Sequence, residues 1–313
     1  FFFFLFFFCC VFFCFFFVFV FCVCLLFCFG GGWFFVVVCL FLFFVLGCVF
    51  FFVWVLWFCV VLGFFFWVWF SSLDAIAEHL FSPERMSLRF HLFESLVLPS
   101  LMAQSDAGFD LVILTAERLP EVHFDRLQTL LEDLPHIHLR RVGTARHYQL
   151  IKDGYNSIAP DGATHRVLFR LDDDDAVDLN YIRRVRRTAT ALHQVRPASV
   201  PQMMAFNRGF YLRLGSPENE VFDAVERAPL STGTALLAPV DYSRNPYRYN
   251  HRQLAQHYTC FSDIGTPSFI RTIHGDNKSN PTPMGLTGQM KPAAMRRALK
   301  THFGLGLSDL KAL

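Results

Sequence analysis

Apolar and polar positions are segregated along the chain before they begin to alternate. Residues 1–70 are apolar throughout and follow neither a helical nor a strand period, whereas from Ser71 onward short apolar runs recur between polar stretches. In that second part, Ser82-Pro83-Glu84 reads as a helix start, with Ser82 as N-cap and Pro83 at the first helical position. Met86, Phe90, Phe93, Val97 and Leu101 follow at helical spacing and predict a buried stripe, which Pro99 should kink or break. Phe109–Leu114 predicts a buried strand, with Thr115–Pro120 as the loop at its carboxyl end. An amphipathic helix is expected over Val122–Leu134, a strand over Ile137–Val142, and a helix over His147–Ile158 closed by the turn Ala159-Pro160-Asp161-Gly162.

Val167–Leu171 is apolar apart from Arg170, the pattern of a strand buried on both faces, and it ends abruptly in Asp172, Asp173, Asp174 and Asp175. Leu179, Ile182, Val185, Ala189 and Leu192 then mark another helix. Strand and helix in alternation predict an α/β fold, with a mostly parallel sheet flanked by helices. After Pro197 the pattern changes. Pro201–Leu214 predicts a hairpin around Asn207-Arg208-Gly209, Thr232–Ala238 a strand and Tyr249–Tyr258 a short helix. Phe269–Ile273 leads into the polar loop His274-Gly275-Asp276-Asn277-Lys278-Ser279.

Four adjacent carboxylates repel one another unless a cation neutralises them. Carboxylate oxygens suit Mg²⁺ or Mn²⁺, which keep open positions for the oxygens of a substrate phosphate. In open α/β sheets, ligands bind beyond the carboxyl ends of the strands, where this run falls. A metal and diphosphate site is therefore the expectation. The plainer alternative is that Asp175 or Asp178 caps the following helix. An EF-hand loop is excluded, because the alternating D-x-D-x-D-G pattern is missing. Arg183, Arg184, Arg186 and Arg187 read as a solvated helix face and not as a nucleic-acid site, since the net charge is only +2 and no aromatic platform accompanies them. The His274 loop offers a candidate metal nitrogen, or else an ordinary Gly-Asp-Asn turn.

Composition changes the picture of the first segment. Residues 1–70 use only Phe, Leu, Cys, Val, Gly and Trp. That length would allow membrane spans, yet the charged loops that orient spans are missing, and so are the charged start and small-residue cleavage site of a signal peptide. The six residue types are those encoded by codons built from T and G alone, so the expectation is a translated low-complexity tract. Nine of the 10 cysteines lie in it, which leaves only Cys260 beyond and suits a reducing cytosol.

Arg89–Gln104 (RFHLFESLVLPSLMAQ), Phe109–Pro120 (FDLVILTAERLP), Phe169–Ala176 (FRLDDDDA) and Arg271–Ser279 (RTIHGDNKS) together resemble the rhamnosyltransferase family of bacterial proteins, a branch of the GT-A type glycosyltransferases. The resemblance covers residues 71–313. It implies a GT-A-like, Rossmann-like fold and a nucleotide-sugar donor whose diphosphate is held by Mn²⁺ or Mg²⁺ on the DxD aspartates. Asp172 and Asp174 match that pair best, with Asp173 and Asp175 as alternatives, and His274 stands where many GT-A enzymes supply a late metal ligand. Arg170 and Asp173 are candidates for substrate contact, although Arg170 can instead pair with the acidic run. An inverting reaction also needs a carboxylate base on the acceptor hydroxyl. The sequence does not choose among Asp175, Glu220 and Asp263; Asp175, inside the run, stands as the catalytic candidate.

The resemblance further implies a strand before the first helix, whose place the T/G tract takes. Expected partners are the nucleotide-sugar donor and a glycan or other hydroxyl acceptor, with no nucleic acid. A cytoplasmic location is expected, with membrane anchoring only if residues 1–70 belong to the natural protein. A metal-dependent phosphotransferase or nucleotidyltransferase, and a non-catalytic remnant with an incomplete donor pocket, are the competing readings.

Overall fold

The computed structural model describes residues 74, 77–277 and 282–313. The expectations for residues 1–70 and for a strand preceding the first helix lie outside the described residues. Helix α1 (Pro83–Leu92) starts where Ser82 accepts a hydrogen bond from the Arg85 amide at 3.4 Å, with Pro83 in its first turn. The helical path does not break at Pro99. It passes through one π-helical stretch, Phe93–Val97, and continues as α2 (Leu98–Met102). Proline lacks an N–H, and the wider turn just before it leaves no donor of the ladder missing.

Strands β1 (Leu111–Ala116) and β2 (Ile137–Val142) pair in parallel around α3 (Glu121–Leu131). Helix α4 (His147–Asn156) leads to β3 (His165–Phe169), two residues earlier than the apolar run suggests. Arg170 and Leu171 thus already belong to the turn that carries the aspartates. The two-residue strand β4 (Ala176–Val177) and helix α5 (Tyr181–Val195) follow.

The second half departs from the sequence expectation. β5 (Gln202–Phe206) and β6 (Arg208–Arg213) do not form a hairpin: β5 lies in a four-stranded sheet, β3-β8-β5-β9, and β6 in a five-stranded one, β11-β7-β6-β10-β4. The remaining members are β7 (Glu220–Val225), β8 (Thr234–Pro239), β9 (Thr259–Asp263), β10 (Phe269–Ile273) and β11 (Leu286–Thr287). Asn207 is the crossing point. Its N–H donates to the Asp263 carbonyl at 2.8 Å and its C=O accepts from the Glu226 amide at 2.7 Å, so one residue ties both sheets. Next to it, Gly209 is required by contact: a Cβ there would lie 2.4 Å from the Phe269 carbonyl oxygen. The expected helix near Tyr249 is a 3₁₀ segment, His251–Gln256.

Three strand pairings are parallel and five antiparallel among the described residues, so the fold is mixed α/β and not mostly parallel. Strand-helix alternation prevails only up to α5, and beyond it strands follow strands, which favours antiparallel neighbours. The main core packs Phe93, Val97 and Leu101 with Tyr181, Ile182 and Val185 of α5 against Met204, Phe206, Ala235 and Leu237 of the four-stranded sheet. A second core covers the five-stranded sheet, where Phe210, Leu212 and Ile270 meet Met295, Leu299 and Phe303 of α6 (Pro292–Phe303) and Leu310 of α7 (Leu307–Ala312).

Candidate functional site

The acidic run sits where β3 ends and β4 docks antiparallel onto β10, with Ala176 opposite Ile270 and Val177 opposite Phe269. This pairing brings the run beside the strand that delivers His274. The Tyr155 hydroxyl of α4 fixes the other side by donating to the Phe169 carbonyl at 2.7 Å.

Each aspartate meets a different environment. Asp172 accepts from Arg170 Nε at 2.7 Å, and the Arg170 guanidinium lies over the Tyr247 ring at 4.2 Å. Asp173 is the most exposed of the four and is held by the Arg89 fork, with Nε to Oδ2 at 2.9 Å and Nη2 to Oδ1. Asp174 is buried. Its Oδ2 accepts from three donors: Arg89 Nη1 at 2.8 Å, His274 Nε2 at 2.9 Å and Asn277 Nδ2 at 3.2 Å. Burial alone would raise its pKa, but the His274 hydrogen bond and the Arg89 charge outweigh that and hold the carboxyl below the ordinary range.

Asp175 lies deepest. Its Oδ1 accepts from the Thr272 amide at 3.0 Å and its Oδ2 from the Thr232 hydroxyl. Burial, reinforced by the charges of Asp174 and Asp172, pushes its pKa well above the usual carboxylate range. Asp178 does not cap α5, whose N-cap residue is Asn180 with no side-chain cap bond; its Oδ1 accepts from the Asn180 amide at 3.0 Å, two residues further on, and it pairs with Arg184. Burial pushes its pKa up to about 6.

The run is therefore neutralised largely from within the chain, by Arg89 on Asp173 and Asp174 and by Arg170 on Asp172. The expected metal trio is brought together only in part. Asp174 touches His274, while Asp172 is turned toward Arg170, and among the described residues no three His, Cys, Asp or Glu side chains converge as an ion cage. The ring of His274 also points against ligation. Its Nδ1 faces the Asp276 amide at 3.3 Å, an arrangement that places the proton on Nε2, toward Asp174. A metal-bound imidazole has the opposite pattern, donating through its second nitrogen. As placed, these residues do not fit a divalent ion.

Arg89 and Asn277 are the participants that carried no role in the sequence. Arg89 had a signal: Arg85 and Arg89 stand one helical turn apart on one face of α1, and Arg85 pairs with Asp276 of the His274 loop just as Arg89 pairs with the run. Thr232 and Thr272 had none, since their contacts to Asp175 are set by tertiary pairing. On the other flank, His251 has its pKa lowered to about 4 by burial and by nearby arginines, Arg271 first among them, and its buried Nε2 has no partner among the described residues. Of the remaining base candidates, Glu220 pairs with Arg213, and Asp263 accepts from the Gly265 amide at 2.7 Å.

No helix among the described residues is long and apolar enough to cross a membrane. A search of curated proteins gave no match. The family model described as "Putative rhamnosyl transferase" matches residues 55–286, well over half of the chain, and the chain belongs to that family.

Proposed function

We propose that this member of a rhamnosyl transferase family moves a sugar, rhamnose by the family's description, from a nucleotide-sugar donor to an acceptor hydroxyl, on a GT-A-like arrangement of its sheets. The observation that carries the reading is the convergence of Asp172–Asp175, Arg89, Arg170 and the His274 loop just beyond β3. Crevices at the carboxyl ends of α/β strands are where nucleotides bind.

Transfer breaks the bond between the sugar and the diphosphate, and negative charge grows on the leaving phosphate oxygens. Planar guanidinium groups match those oxygens through two parallel hydrogen bonds, and prepositioned donors in a partly dry site stabilise the growing charge strongly. Arg89 and Arg170 are the groups for this role. Asp172 and Asp173, the more accessible carboxylates of the run, are suited to accept from donor hydroxyls. Asp175 is better read as a positioning residue than as the catalytic base, because both its oxygens are engaged by Thr272 and Thr232 and it is only 2% exposed.

Calorimetric titration of the purified full chain with uridine, thymidine and guanosine diphosphates tests the reading. Saturable binding of one diphosphate, tighter than its monophosphate, is expected. Failure of all three to bind contradicts a nucleotide-sugar donor.

A further inference from the structure

Ser268, at the end of β10 away from His274, draws three other elements together. Its N–H donates to the Arg208 carbonyl at 2.8 Å, its C=O accepts from the Asp178 amide at 3.2 Å, and its hydroxyl oxygen accepts from Arg184 Nη2 at 3.1 Å. Beside Asp178, the Leu179 N–H donates to the His302 carbonyl at 2.8 Å, which brings in the last turn of α6. Arg184 of α5, Arg208 of β6 and His302 of α6 therefore meet around one point. Burial lowers the His302 pKa, and the Arg184 and Arg208 charges lower it further, so the ring is neutral at pH 7.

Positive charge is in excess there. The carboxylate among these groups is Asp178, which is fully buried and pairs with Arg184. Arg208 pairs with no carboxylate among the described residues. Its Nη1 donates to the Ile264 carbonyl at a long 3.5 Å in an exposed setting, and its Nε is buried without a partner. Arg184 Nε is buried and unpartnered as well. Guanidinium donors that leave water without finding an acceptor are destabilising, and a bound anion supplies the acceptors.

We propose that Arg208, Arg184 and His302 form a second binding site, for a phosphate group, separate from the acidic run. Strand β10 lies between Ser268 and His274 and sets the two places about 20 Å apart. A guanidinium pairs with phosphate as it does with carboxylate, but one fork already fills a planar carboxylate. Two guanidinium groups and an imidazole N–H, coming from three elements, suit a tetrahedral oxyanion instead. Bound there, phosphate bridges both cores, because α5 packs on the four-stranded sheet whereas β6 and α6 belong to the core of the five-stranded one. It thus stabilises the fold by binding the native state. The inference stands independently of the sugar-transfer reading.

The test is calorimetric titration of the full chain with inorganic phosphate and, separately, with glycerol 3-phosphate, at an ionic strength held constant with chloride. Melting temperatures are measured in the same solutions. Saturable binding is expected, with a rise in melting temperature that chloride alone does not give. Arg208→Gln should weaken binding at least about tenfold, as loss of a charge-assisted pair does, and abolish that rise. Arg208→Lys, which keeps the charge but not the fork, should fall between and stands in if Arg208→Gln loses its native circular dichroism. Phosphate that also enters the acidic run is told apart by Arg170→Gln, which should leave the Arg208-dependent binding within about twofold of the parent, as for distant sites. Binding of both ligands supports a site for phosphate monoesters, and binding of inorganic phosphate alone supports one for the free ion. No binding above chloride in the folded parent, unchanged binding in folded Arg208 variants, or loss of all binding in Arg170→Gln overturns the inference.

Discussion

Asp174 and His274 stand 2.9 Å apart although they are 100 positions apart along the chain. The contact exists because Ala176-Val177 pairs with Phe269-Ile270, which sets the end of the acidic run against the end of β10. Two buried side chains, one anionic and one donating, therefore join the two halves of the site. Replacing Asp174 by Asn removes the only charge that Arg89, His274 and Asn277 share. Leaving a buried cation without its partner typically costs about 3 kcal/mol or more. Part of the Arg89 charge still finds Asp173, so the expected loss for Asp174→Asn is about 2 kcal/mol, read from urea unfolding at pH 7. A loss below about 0.5 kcal/mol would mean that the triple contact does not form.

Asp175 separates two roles. As a positioning group it needs oxygens that accept from Thr272 and Thr232, and Asn keeps one acceptor; as a general base it would need its charge. Asp175→Asn should therefore retain activity within about tenfold of the parent, whereas loss of a base costs about a hundredfold to ten-thousandfold. The measurement is the rate of nucleoside diphosphate release at saturating donor.

Asp178 gives a pH signature. Its folded pKa of about 6 lies above its unfolded value, so the native state holds the proton more tightly and the stability it contributes is full at low pH. That contribution is lost as pH rises from about 4 through 6, by up to about 3 kcal/mol at 1.36 kcal/mol per unit. Asn cannot titrate. The stability of the parent relative to Asp178→Asn should thus fall between pH 4 and pH 7, as followed by urea unfolding at each pH. A relative stability that rises over this interval would reverse the assigned shift.

Gly209→Ala places a methyl 2.4 Å from the Phe269 carbonyl oxygen, a backbone atom that cannot swing aside. Overpacking of this kind costs about 1–3 kcal/mol, so the melting temperature should drop by several degrees. An unchanged melting temperature would show that β6 and β10 separate at this point more easily than their contacts indicate.

How much of this was legible in the sequence varied with the range of the interaction. Ile137–Val142 could be read as a strand to its exact ends, and Phe269–Ile273, placed from the sequence only as the lead-in to the His274 loop, is a strand over those same residues. Asn207-Arg208-Gly209 misled, since a turn-like tripeptide between apolar runs looks the same whether the chain folds back or crosses to another sheet. Gly209 is there for the approach of Phe269, a residue 60 positions away. The acidic run was legible at the end of a strand, but the partners of its aspartates were not. Arg89 lies 84 and 85 residues from the carboxylates it holds, and a helical arginine one turn from another signals only a shared face. The cation that the run demanded was read as a metal, whereas the pairing of Arg89 and Arg170 with the run is set by the fold.

The central claim is sugar transfer at the acidic run, and the most direct measurement is nucleoside diphosphate released from a panel of nucleotide-activated 6-deoxyhexoses and hexoses. It should be run with Mn²⁺ and a mixed glycan acceptor, on the full chain and on Asp174→Asn after circular dichroism has shown both to be folded. The expected result is acceptor-dependent release from one donor that falls at least about a hundredfold in the variant, as loss of a preorganised charged group in an active site commonly produces. Release that is equal in parent and variant, or absent from every donor in the folded parent, would contradict it.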